Sequence, residues 1–106
     1  MTSDSPAVLF YDAQRAALLV DPDITERKMF GTTALCIGGK VFMFPWKDAL
    51  VLKLPADVVE ELVASGEGEL FDPGHGRTSK TWAAVDSVAS DRWSQLSFAA
   101  REFVAG

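Results

Sequence analysis

The chain has a single cysteine, Cys36, and a single histidine, His75. One cysteine excludes an internal disulfide and any zinc site built on cysteine pairs. One histidine excludes the metal motifs that need two. Long apolar runs are also missing. The longest is Val41 to Trp46, six residues, against the roughly twenty that a bilayer-crossing helix requires. No membrane contact is therefore expected. The first residues, Met1 to Ala7, contain no base, and Asp4 sits where a secretory leader carries positive charge. No secretory signal is read, and the expected location is the cytoplasm. Bases are scarce overall, with ten Lys and Arg against fifteen Asp and Glu, a formal net charge of −5. Such a chain repels phosphate backbones and anionic lipid, so nucleic acid is a disfavoured partner.

What is present describes one globular domain over residues 1–106. The sequence is 48% hydrophobic and 24% charged, an ordinary folded composition. A chain of this length buries roughly 65% of its unfolded area, enough for a core without staples. Pro6 to Val20 reads as a helix, capped by Ser5, with Val8, Tyr11, Ala16 and Leu19 near one stripe. Ile24 to Phe30 reads as a strand. Thr33 to Ile37 and Lys40 to Trp46 are apolar runs joined by Gly38-Gly39, a pair that supplies the positive φ of a tight hairpin. Ala49 to Leu54 alternates as a further strand. Pro55 to Ser65 is a second helix with Val58, Val59, Leu62 and Val63 inward and Gly66 as its terminator. Glu69 to Phe71 and Thr81 to Val85 are short strands. Ser90 is the expected cap of a third helix, Asp91 to Val104, with its stripe on Trp93, Leu96, Ala100, Phe103 and Val104. The order is α, three or four β, α, two β, α. Tight turns between consecutive strands mean an antiparallel sheet, and three amphipathic helices on one face complete a two-layer α+β sandwich.

Charge is segregated along the chain. Residues 27–53 carry Arg27, Lys28, Lys40, Lys47 and Lys53 against Asp48 alone, while residues 54–76 carry six acids and no base. Two readings follow. Either the layers complement each other internally, or the open side of the sheet offers a surface to an anion or an acidic partner.

The most polar and glycine-rich stretch is Asp72 to Lys80. Gly74 and Gly76 free the backbone to present N–H groups to an anion, with Arg77 as a fork and Lys80 as a point charge. Lys28 and Lys53 of the basic strands are the further candidates for that site. The plainer reading is a connector in which the glycines only permit the turn. The Gly-x-x-x-x-Gly-Lys spacing of a phosphate loop is absent. His75 has only Asp72 as a nearby carboxylate, and neither Ser79 nor Cys36 has an activating motif around it, so no catalytic residue is assigned. No cofactor or metal is expected. The strand from Val41 to Trp46 is apolar on both faces. Its second face is either covered by a helix, loop or partner, or partly exposed as a contact surface.

Several segments in fixed order carry a family resemblance. They are Lys28-Met29-Phe30-Gly31, the run from Gly39 to Phe44, Leu52-Lys53-Leu54-Pro55-Ala56-Asp57, Phe71-Asp72-Pro73-Gly74, and Gly76-Arg77 ahead of Lys80-Thr81-Trp82. Together they resemble the TfoX N-terminal domain family, the N-terminal part of the TfoX/Sxy competence regulators, here as a stand-alone single-domain member. The resemblance implies a sandwich similar in shape to secretion chaperones and YjbR-like domains. It also implies a bacterial regulatory role, exercised without catalysis through contact with another protein or with a second copy. The alternative is a small anionic-ligand-binding protein or minor enzyme that uses the Gly74 to Lys80 loop.

Overall fold

The computed structural model describes residues 5–29, 31–71 and 79–106. Helix α1 spans Pro6–Leu18. Ser5 starts it by accepting the Val8 N–H, and proline occupies the first turn, where its missing donor is harmless. The helix stops two residues before the expected Val20, where Asp21 accepts the Asp23 N–H in a local turn. Its buried side is Ala7 and Tyr11, with Phe10 and Leu18 packed against the core. Ala16 and Leu19, expected inside, face solvent. Counting 3.6 residues per turn from Ala7 selects positions near 11, 14 and 18, which excludes both.

Strands β1 (Ile24–Met29), β2 (Thr32–Ile37), β3 (Lys40–Trp46) and β4 (Ala49–Lys53) form an antiparallel meander. Gly38 and Gly39 both take positive φ in the β2–β3 turn, as the Gly-Gly pair predicts. Helix α2 (Ala56–Ser65) then crosses the sheet, and β5 (Gly68–Leu70) and β6 (Trp82–Asp86) complete it. The strand order is β1-β2-β3-β4-β6-β5. Helix α3 runs from Trp93 to Ala105. Ser90 does not cap it. Residues Ser87–Arg92 form a 3-10 turn that breaks at Ala89, and the capping side chain is Asp86, which accepts the Val88 N–H at 3.1 Å.

All three helices lie on one face. Tyr11, Val59, Leu62, Trp93, Leu96 and Ala100 share a single core cluster with Leu35, Leu50, Leu52, Ala83 and Val85 of the sheet. β3 carries a bulge. Leu35 pairs with Met43 but Cys36 pairs with Val41, leaving Phe42 as the extra residue. Phe42 and Met43 therefore both enter the helix-side core, and Phe44 turns to the other face with Val41 and Trp46. There Phe44 and Val51 are buried under Phe71, the residue after β5. Phe71 stands edge-on to Phe44 at 5.3 Å and to Trp46 at 5.5 Å. The strand that is apolar on both faces is thus covered on both, once by helices and once by Phe71, with Val41, Trp46 and Trp82 half-buried around it.

Gly66 closes α2 in the left-handed region, with φ 81° and ψ 7°. Its N–H reaches Val63 O and the Glu67 N–H reaches Leu62 O, a Schellman ending. A Cβ at Gly66 would meet no atom within 4 Å, so the penalty for alanine is purely conformational. Gly66→Ala is expected to destabilise by about 1 kcal/mol, and Gly66→Asn by less, because asparagine tolerates this backbone. Urea denaturation of the two variants checks the order.

α1 is tied to the edge strand by one carboxylate. Glu26 Oε2 accepts from Arg15 Nε at 2.6 Å and from the Tyr11 hydroxyl at 3.1 Å. Burial pushes the Glu26 carboxyl up, but the bonds from Arg15 and Tyr11 outweigh it and hold the group below its ordinary value. Burial, aided by the Glu26 charge, drives the Tyr11 hydroxyl far above the usual phenol range, so it stays a donor. A depressed carboxyl contributes stability that is complete above its unfolded value, about 4.3. That contribution disappears as the pH falls through the folded value. Glu26→Gln is expected to lower stability at pH 7 by about 1 kcal/mol, with the gap to the parent closing below pH ~4. Urea midpoints measured from pH 7 down to 3 test this.

Candidate functional site

The sheet decides which bases meet. Side chains alternate across a strand, and β1 pairs with β2 so that Glu26 faces Leu35, Arg27 faces Ala34 and Lys28 faces Thr33. Leu35 belongs to the helix-side core and Ala34 to the opposite one. Lys28 thus shares the helix-side face with Glu26, and Arg27 has the open face. Lys53 pairs with Trp82 and shares the open face with Val51. Its Nζ stands 5.1 Å from the Trp82 ring centroid, a cation–π contact. Lys80 is exposed ahead of β6 and lines a cleft on α2 with Asp57 and Glu60. Lys28 thus stands on the helix side, Lys53 on the open face and Lys80 beside α2. Gly74, Gly76 and Arg77 lie outside the described residues, as do Asp72 and His75.

Lys53 instead joins two bases that the sequence reading left out of the site. Arg27, Lys40 and Lys53 line one groove of about 500 Å³ with Val41, Trp82, Phe103 and Val104. It lies at the end of the sheet where the β2–β3 turn meets the last turn of α3. Arg27 is anchored there, donating from Nη2 to Gly39 O at 3.0 Å. Phe103, expected in the stripe of the third helix, is 40% exposed. It serves as a wall of the groove and not as core. The signal that finds Arg27 is the turn ahead of β2. The short link between Met29 and Thr32 lets β1 pair with β2 so that Arg27 faces Ala34, and period-two alternation then separates it from Lys28.

The groove gathers three bases without an ion pair among the described residues, whereas the described arginines elsewhere are all paired. Arg15, Arg92 and Arg101 each pair with a carboxylate. The Arg92 bond also holds the Glu67 carboxyl below its ordinary value. Arg27, Lys40 and Lys53 have no carboxylate partner among the described residues. Asp23 lines an adjoining cleft that shares Lys40.

The other candidates have structural roles. Cys36 is buried, and burial pushes its thiol up despite the nearby Arg27 charge and the Thr25 hydrogen bond, the opposite of nucleophile activation. Ser79 Oγ accepts the Thr81 N–H at 3.3 Å and lies 3.1 Å from the Thr81 hydroxyl, a turn that launches β6. Among the described residues no group of three His, Cys, Asp or Glu side chains is placed to hold a metal ion. No helix among them is long and apolar enough to cross a membrane.

An antiparallel sheet backed by three helices, with unpaired bases and half-buried aromatics on its free side, defines a small α+β domain. The chain belongs to the TfoX N-terminal domain family, whose model matches residues 15–105, nearly its full length. The family is a regulatory one and not a known enzyme family. No curated protein matches the chain.

Proposed function

We propose that the chain is a non-catalytic regulatory domain of the competence type, working in the bacterial cytoplasm through contact with another protein. Family membership over residues 15–105 is the observation that carries this reading. The open face supports it. Trp46 and Trp82 are half-buried, and Arg27, Lys40 and Lys53 stand at its end without carboxylate partners among the described residues. Side chains of that kind, aromatic and arginine together, are enriched where proteins bind proteins. Of the residues first considered for the site, Lys53 keeps its place as a contact residue.

The test is in-cell crosslinking of the tagged chain in a bacterial host, read by mass spectrometry, beside sedimentation of the pure protein. One protein, or a second copy, should be enriched over a tag-only control, with crosslinks at Lys40 or Lys53. A chain that stays monomeric at high concentration and enriches nothing would overturn the reading.

A further inference from the structure

We propose that the groove between the β2–β3 turn and the end of α3 binds an extended acidic peptide segment of a protein partner. The segment would carry carboxylates at positions i and i+4 and a large apolar side chain at i+2. The proposal rests on the protein-contact reading above and adds the chemistry of the partner.

Three observations lead to it. The first is charge complementarity. Arg27, Lys40 and Lys53 face one groove of about 500 Å³, none of them neutralised by a carboxylate among the described residues, whereas the other described arginines, Arg15, Arg92 and Arg101, are all paired. The second is spacing. Arg27 is on β1 and Lys53 on β4, three strands apart in the sheet. At about 4.8 Å per strand that is roughly 14 Å across the sheet. A single phosphate group is too small to engage both bases. An extended peptide advances about 3.3 Å per residue and covers roughly 13 Å over four residues. Its residues i, i+2 and i+4 point the same way, so two carboxylates reach the two ends while the residue between them faces the groove floor. The third is that floor. Trp82, Val104 and Phe103 are apolar and partly open to solvent, suited to a buried anchor between charged ends. A nucleic acid strand also repeats its charge, but Asp57, Glu60 and Glu61 on α2 and a net charge of −5 oppose its approach.

The probe is a capped eight-residue peptide with two aspartates four positions apart around a central phenylalanine. It is titrated into the isotope-labelled full chain at low salt. Shifts are expected at Arg27, Lys40, Lys53 and Trp82. Binding should weaken at least tenfold when both aspartates become asparagine, and again in the Arg27→Glu, Lys53→Glu double variant. The amide spectrum of that variant reports whether it folds, and Lys40→Glu alone, at the exposed start of β3, serves if it does not. Shifts that map elsewhere, affinity that ignores these changes, or inorganic phosphate or a short oligothymidylate binding the groove in place of the peptide would each overturn the proposal. A partner crosslinked equally by the parent and the double variant sinks the groove and leaves the protein-contact reading intact. No partner for the parent sinks that reading, while the peptide titration is judged by itself.

Discussion

Trp93→Ala is expected to lower stability by about 3–5 kcal/mol, the usual range for removing a large buried aromatic. Trp93 is 2% exposed and sits at the start of α3. Its indole Nε1–H donates to Val85 O at 3.2 Å, tying the helix to β6. Its ring lies 5.6 Å from Phe10 of α1 at a 59° tilt. One side chain therefore joins two helices and a sheet strand, and alanine leaves a cavity and an indole-sized gap beside Phe10. Domains of this kind have about 5–15 kcal/mol in total, so a large part of the margin disappears. Trp93→Phe keeps most of the apolar volume and loses the hydrogen bond, and should cost less than half as much. Urea denaturation followed by circular dichroism measures both. A loss below about 1 kcal/mol for alanine would mean that α3 does not depend on this anchor.

The elements that were legible in the sequence are those whose signals are local. Gly38-Gly39 marks a hairpin because two consecutive positive φ values suit almost no other pair. Ser5-Pro6 marks a helix start, and Gly66 a helix end, for the same kind of backbone reason. The start of the third helix differs from expectation because Ser90 is a good cap by type, whereas Asp86 takes the role four residues earlier and feeds a 3-10 turn first. No local rule ranks two competent caps. The stripe of α1 slipped because Leu19 is apolar by type but lies off the phase that runs from Ala7 through Tyr11 to Leu18. Burial on the open face was hidden for a different reason. It depends on Phe71 folding back over Phe44, a contact between residues 27 apart in sequence. For the site, the positive charge of residues 27–53 was visible, with the open side of the sheet as one of two readings for its place. Its membership was not. Lys28 and Arg27 are neighbours in sequence, and only the pairing of β1 with β2 sends one to the helices and the other to the groove.

Phe44→Ala should cost about 3–4 kcal/mol, nearly as much as a change in the main core, although Phe44 lies on the face away from every helix. Phe44 is 1% exposed, enclosed by Val51, Ala34 and Phe71, and set 5.9 Å from Trp82. Phe71→Ala, at 6% exposure, should cost somewhat less, about 2–3 kcal/mol. The informative quantity is their coupling. The two rings meet edge to face at 5.3 Å and 81°, a geometry worth about 0.5–1.5 kcal/mol beyond the area that it buries. The double variant should therefore lose less than the sum of the single losses by about that amount. Additive losses would show that Phe71 only shields the sheet. Coupling would show that a second, smaller core exists on the open face. The distinction bears on the groove, because Trp82 belongs to both. If Phe44 and Phe71 hold Trp82 in place, Phe44→Ala should also weaken an acidic peptide bound over Lys53, even though it touches no charge. The same titration carried out on Phe44→Ala at a temperature where the variant remains folded separates a positioning effect from simple unfolding.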